Sequence, residues 1–125
     1  MIKSHFILYV SDQRASAAFY EAVLDVRPVL DVPGMTEFRL GDESVLGLMP
    51  VESASRLLGR PIGKTAEPRA EIYLIVDDPA TYHKRALAAG AEEISPLSRR
   101  DWGHDAAYSL DPDGHVLAFA KETRN

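Results

Sequence analysis

His5-Phe6-Ile7-Leu8-Tyr9-Val10-Ser11-Asp12 is echoed later in the chain by Glu71-Ile72-Tyr73-Leu74-Ile75-Val76-Asp77-Asp78. The shared word is x-x-x-Leu-x-Val-x-Asp, at an offset of 66 (71 − 5 and 78 − 12). Each copy is a short apolar run of β-branched and aromatic residues, the composition of a buried strand. Each then supplies side chains that cap a helix, Ser11 or Asp12 in the first copy and Asp77-Asp78-Pro79 in the second. The first helix is expected to bury Ala15, Phe19 and Val23, flanked by Ala18 and Leu24, and to end before Pro28. The second runs through Tyr82, Leu87 and Ala89 to a left-handed stop at Gly90.

The correspondence continues beyond the helices. Thr36 to Leu40 and Val45 to Met49 are strand candidates around the turn Gly41-Asp42-Glu43-Ser44. Glu93 to Ile94, Ala106 to Leu110 and Val116 to Ala120 follow the second helix, the last two joined by Asp111-Pro112-Asp113-Gly114. Phe38-x-Leu40 overlays Tyr108-x-Leu110 at an offset of 70, and Val45-Leu46-Gly47 overlays Val116-Leu117-Ala118 at 71. This is the pattern of a duplicated βαβββ module. The modules are expected at about 1–50 and 70–125. Between them residues 51–69, with Gly59, Pro61, Gly63 and Pro68, form a linker with at most a short turn near Ser53 to Leu58.

The composition supports a single globular domain. The 125 residues are 46% hydrophobic and 26% charged, outside the range of disordered chains. A net charge of −5 without a basic stretch argues against a nucleic-acid backbone as partner. The absence of cysteine removes disulfides, thiol nucleophiles and thiolate metal sites. No apolar run approaches the length of a membrane span and the N-terminus lacks a signal-peptide pattern, so the expected setting is the cytoplasm, with no membrane partner.

A paired βαβββ chain with these openings and a late Asp111-Pro112-Asp113-Gly114-His115 resembles the vicinal oxygen chelate superfamily, the glyoxalase, bleomycin-resistance and extradiol-dioxygenase proteins. The resemblance spans His5 to Ala120. It implies an α+β fold, two modules forming a cupped mixed sheet with helices on the outer face, and a homodimer. Metal-binding members of that family carry one ligand on the first strand and one on the last strand of each half. Those positions fall here on His5 and Glu71, which are credible metal ligands, and on Gly47 and Ala118, which have no donor. Two donors are fewer than a metal site normally uses, so a divalent metal is possible but its full family site is absent.

The same parity places Ile7, Tyr9, Tyr73 and Ile75 on the face of His5 and Glu71. Glycine and alanine at the centre are expected to leave room for a small organic ligand. Three readings of His5 and Glu71 stay open: a two-ligand metal site, an acid/base or recognition pair with Glu71 catalytic, or a structural contact. Tyr9, Tyr73, Trp102 and Tyr108 are the candidate ligand contacts, with the core as the competing role for Tyr108 and Phe38. The Asp-Pro-Asp-Gly segment is expected to be a tight turn, with His115 facing away from the pocket. Gly63-Lys64-Thr65 lacks the first glycine of a phosphate loop, and no Gly-x-Ser-x-Gly elbow occurs. The expected function is a small-molecule binder or metal-independent catalyst. The alternative is a divalent-metal lyase, isomerase or dioxygenase.

Overall fold

The computed structural model describes residues 2–63 and 67–124. Lys64 and Thr65 of the Gly-Lys-Thr segment lie outside them. The chain divides into two compact units, Met1–Glu21 with Asp25–Thr65, and Ala22–Leu24 with Ala66–Asn125. Each holds a four-stranded mixed sheet. Three helices complete an α+β fold consistent with two βαβββ modules. None of the described helices is long and apolar enough to cross a membrane.

In the first unit the sheet order is β1-β4-β3-β2, from β1 (Ser4–Val10), β2 (Leu30–Val32), β3 (Met35–Gly41) and β4 (Ser44–Pro50). β1 runs parallel to β4 and the other pairs are antiparallel. Leu8, Val10, Phe38, Leu46 and Leu48 point to one face and are almost fully buried. Fully burying each such side chain contributes about 1.5–3 kcal/mol. Helix α1 (Gln13–Leu24) starts where Asp12 Oδ1 accepts the Ala15 N–H at 3.0 Å. It stops at Asp25, whose φ of 56° is left-handed. Its buried face is Ser16, Phe19, Tyr20, Val23 and Leu24, while Ala15 and Ala18 are exposed. The sequence stripe was displaced because a serine and a tyrosine hold two core positions. Part of the expected linker is helix α2 (Val51–Leu58), which buries Val51 and Ala54 and ends at Gly59 with φ 69°.

The second unit repeats the plan in the order β5-β8-β7-β6, from β5 (Glu71–Ile75), β6 (Glu92–Arg99), β7 (His104–Leu110) and β8 (Val116–Glu122). Helix α3 (Pro79–Ala88) is capped by Asp78, whose carboxylate accepts the Thr81 N–H at 3.2 Å and the Thr81 hydroxyl at 2.7 Å. It buries His83 and Ala86 and lays Tyr82 against Phe119, ring centres 5.2 Å apart.

The Asp111-Pro112-Asp113-Gly114 turn is held from within. Asp111 Oδ1 accepts the backbone N–H groups of Asp113 and His115, both at 2.9 Å. Its Oδ2 lies 3.1 Å from His115 Nδ1, and Arg69 Nη2 lies 3.2 Å from His115 Nε2. Arginine only donates, so His115 is the tautomer that accepts at Nε2 and donates from Nδ1 to Asp111. His115 is buried in this turn, away from the face that carries Glu71.

A candidate binding face on each sheet

The ladders fix which side chains share a face, since paired residues project to the same side. His5 pairs with Val45 and Ile7 with Gly47, just as Glu71 pairs with Val116 and Tyr73 with Ala118. The first-strand and last-strand positions of the two halves are therefore equivalent, at offsets of 66 and 71. The β3 and β7 positions are not those that the sequence words suggest. Gly47 faces Glu37 and Ala118 faces Tyr108, so Glu37 is the counterpart of Tyr108 (37 + 71 = 108). Phe38, matched to Tyr108 by sequence, points to the opposite face and is fully buried.

That one-residue slip hid Glu37. The acid within reach of His5 in the first unit is this residue, with Nδ1 to Oε2 at 3.4 Å. The His5 side chain is half exposed, which keeps the energetic value of the pair small. Tyr9 lies further along the same face, paired with Met49. The expected hollow at Gly47 is filled by its neighbours. A Cβ built there would lie 2.5 Å from Ile7 Cδ1 and 3.1 Å from Met35 Sδ. Glycine serves here as the floor on which two larger side chains fold, and does not leave a vacancy.

The second unit assembles more of the expected residues. Ala118 is flanked on its two sides by Tyr73 and Tyr108 and is fully buried. Tyr73 Oη lies 2.7 Å from His104 Nδ1, and Trp102 Nε1–H donates to the same oxygen at 3.0 Å. Indole only donates, so the Tyr73 hydroxyl accepts from Trp102, and the direction of its bond with His104 Nδ1 is set by the imidazole tautomer. The Tyr73 and His104 rings also stack, with centres 5.8 Å apart. Trp102 remains 56% exposed.

Arg100 sits beside Tyr108, its guanidinium carbon 5.1 Å from the ring centre. Burial raises the Tyr108 phenol above its ordinary value, reinforced by the negative charge of Glu71 and by Tyr73 and opposed by Arg100. His104 and Arg100 were not among the expected contacts. Their signal was parity with Tyr108 for His104, which begins β7 four residues earlier, and nothing local for Arg100.

A wide groove lies elsewhere. It encloses about 760 Å³ in the first unit and is lined by α1 residues such as Gln13 and Glu21, with Asp31, Thr36 and Pro50. Gln13 ties its wall together, donating to Val32 O and Thr36 Oγ1 and accepting from Gly34 N. None of the expected site residues lines it.

The model of the Glyoxalase/Bleomycin resistance protein/Dioxygenase superfamily matches residues 3–119. The chain belongs to that superfamily. Solved structures agree on the fold. A glyoxalase-related enzyme from Fulvimarina pelagi superposes with a TM-score of 0.85 at 24% identity, covering 95% of this chain and 86% of that one. A glyoxalase/bleomycin resistance protein/dioxygenase family enzyme from Burkholderia phytofirmans PsJN gives 0.81 at 20% identity, over 98% and 100%. A glyoxalase/bleomycin resistance protein/dioxygenase from Nocardioides gives 0.80 at 21%, over 100% and 85%. No curated protein matches the chain.

The metal that the superfamily implies can be tested against the residues present. Of the four ligand positions, His5 and Glu71 carry donors, while Gly47 and Ala118 carry none and are covered by neighbouring side chains. No group of three or more His, Cys, Asp or Glu side chains is placed to hold a metal among the described residues. The donor set does not fit the family's metal centre.

Proposed function

We propose that this glyoxalase/bleomycin-resistance-like protein binds a small organic molecule on the aromatic face of its second sheet, as a sequestering binder or as a catalyst needing no complete metal centre. The observation that carries this reading is the Trp102–Tyr73–His104 chain of hydrogen bonds beside Tyr108 and Glu71. Such a chain fixes three aromatic side chains before any ligand arrives, which lowers the ordering cost of binding. Glu71 is the group proposed to move a proton if the bound molecule reacts, Tyr73, Trp102 and Tyr108 are its contacts, and Tyr9 is the candidate contact on the corresponding face of the first sheet. The same reading has the protein working as a homodimer in the cytoplasm. Screening small molecules against the fluorescence of the lone tryptophan tests it. Ligands are expected to change Trp102 emission and to lose affinity about tenfold or more in Trp102→Ala, given the weight that aromatic anchors carry. Hits whose affinity is indifferent to Trp102→Ala and Tyr108→Ala would place the site elsewhere.

A second reading, a divalent-metal lyase, isomerase or dioxygenase, draws on one observation, the Glu37 carboxylate beside His5. Metal analysis of the purified protein decides it. Stoichiometric nickel, zinc, manganese or iron that is lost in His5→Ala and Glu37→Ala would favour this reading over the first.

A further inference from the structure

We infer that His115 is a proton-operated latch, whose protonation releases Arg69 and loosens the start of β5 while the Asp111 turn stays closed. The chain has four histidines, and what each ring faces sets one apart from the other three. His5 faces the Glu37 carboxylate and His83 the Glu93 carboxylate, acceptors that suit a protonated ring. His104 faces the Tyr73 hydroxyl, which can donate or accept. Among the described contacts of these rings, that of His115 Nε2 with Arg69 Nη2, at 3.2 Å, is the one with an obligate donor.

The two ring nitrogens of His115 answer a proton differently. Nδ1–H donates to Asp111 Oδ2 at 3.1 Å in the neutral and in the charged ring alike. Asp111 Oδ1 keeps the main-chain N–H groups of Asp113 and His115 in both states. Nε2 changes sign. Neutral, it accepts from Arg69; protonated, it points an N–H at a guanidinium, and a hydrogen bond becomes a contact between two cations. Arg69 is exposed and finds water on turning away, whereas His115, 2% exposed, stays in the turn. There the buried carboxylates of Asp111 and Asp113 receive the added charge. The other charged groups lie further off or are engaged. Glu67 is exposed, and Glu71 is on the opposite face, since its ladder partner is Val116. Helix α3, packed on β8, commits Tyr82 to Phe119, His83 to Glu93 and Arg85 to Val23 O.

The latch holds the entry to β5. In its sheet β5 stands at the end of the order, bonded to β8 alone. Just ahead of Glu71, the Val116 N–H donates to Ala70 O at 2.9 Å and Arg69 contacts His115. Losing the second tie weakens the first at a strand edge, where local opening costs least. The loosened residues lead directly into Glu71. The device stands on the turn and does not depend on what the sheet binds.

Long-range ¹H–¹⁵N imidazole spectra and amide hydrogen exchange on the full chain test the latch between about pH 8 and 5.5, an interval that spans the ordinary histidine range and stays above that of carboxylates. At the upper end His115 is expected with a bare Nε2. As it titrates, protection of the Val116 amide, corrected for intrinsic exchange, should fall about threefold or more, while the Asp113 and His115 amides keep theirs. Arg69→Gln places at Nε2 an amide able to donate or accept, so its Val116 protection should stay flat. The wild-type titration carries the test by itself if that variant fails to fold. An equal fall in Arg69→Gln, or a fall shared by the Asp113 and His115 amides, is general acid loosening and overturns the inference. So does a proton on Nε2 at the upper end, a His115 that does not titrate within the interval, or one that titrates with Val116 protection unchanged.

Discussion

Tyr73→Phe is the smallest change that dissects the aromatic network, because it removes one oxygen and keeps the ring. Two hydrogen bonds meet on that oxygen, one with His104 Nδ1 at 2.7 Å and one from Trp102 Nε1 at 3.0 Å. Each is worth about 0.5–1.5 kcal/mol net, with the lower end for a group that water can reach. Trp102 is more than half exposed and regains a partner from solvent, whereas His104 is half buried and loses its partner at Nδ1. The expected destabilisation is about 1–2 kcal/mol, read as a lower urea midpoint with unchanged slope. Fluorescence adds an independent reading. The indole released from Tyr73 should show lower anisotropy, since Trp102 stands between β6 and β7 with no described hydrogen bond to its ring other than this one. A double-mutant cycle with His104→Ala should return a coupling of about 0.5–1.5 kcal/mol. An unchanged midpoint, unchanged anisotropy and zero coupling together would refute the network.

Two further outcomes follow from the second unit. Asp111→Ala strips the acceptor of three hydrogen bonds from a buried turn and leaves the His115 Nδ1–H and two main-chain N–H groups unpaired, so a loss of about 3–5 kcal/mol is expected in urea unfolding. A loss below about 1 kcal/mol would show that water replaces the carboxylate. The Tyr108 phenol is raised in the folded protein, so the native state holds its proton when the unfolded chain has released it. That contribution is complete below pH about 10 and disappears as the pH climbs through the folded value. Stability should therefore fall more steeply above pH 10 in the wild type than in Tyr108→Phe, and identical alkaline slopes would contradict the burial of this hydroxyl.

The repeat was legible because its first strands are spelled alike and carry the same ladder. Leu8 and Leu74 both precede a valine on the buried face, and His5 and Glu71 pair with Val45 and Val116 at the same depth. The faces of the third strands were harder to assign. A register shift between Arg39 and Gly41 leaves Leu40 as an extra residue in the first hairpin. Matching Leu40 to Leu110 by type then moves every residue of β3 to the wrong face, since side chains alternate with a period of two. Glu37 was lost in that slip. β2 is three exposed residues, too short and too solvated to show a period.

The role of the small residues also escaped the sequence. Glycine at position 47 and alanine at 118 look alike as absences of volume, yet what fills the space depends on the rotamers of Ile7 and Met35 and on two flanking tyrosines. Spacing within one strand carries no information about neighbours on the strands beside it. Parity points to Tyr9 and Tyr73 and the loop before β7 to Trp102, and all of the aromatic contacts but Tyr9 fall in one unit. Their hydrogen bonding to His104 depends on where β7 begins, two residues before the sequence signal of that strand.

The proposed ligand recognition rests on aromatic side chains of the second sheet and not on a metal held at the family positions. The chain has one tryptophan, so a ¹H–¹⁵N correlation spectrum contains one indole resonance, that of Trp102. Titration with an aromatic hit from the Trp102 fluorescence screen is expected to shift that resonance saturably, and to shift it far less in Tyr108→Ala. A resonance that stays fixed under every such hit but moves stoichiometrically with added nickel or zinc would contradict the aromatic site.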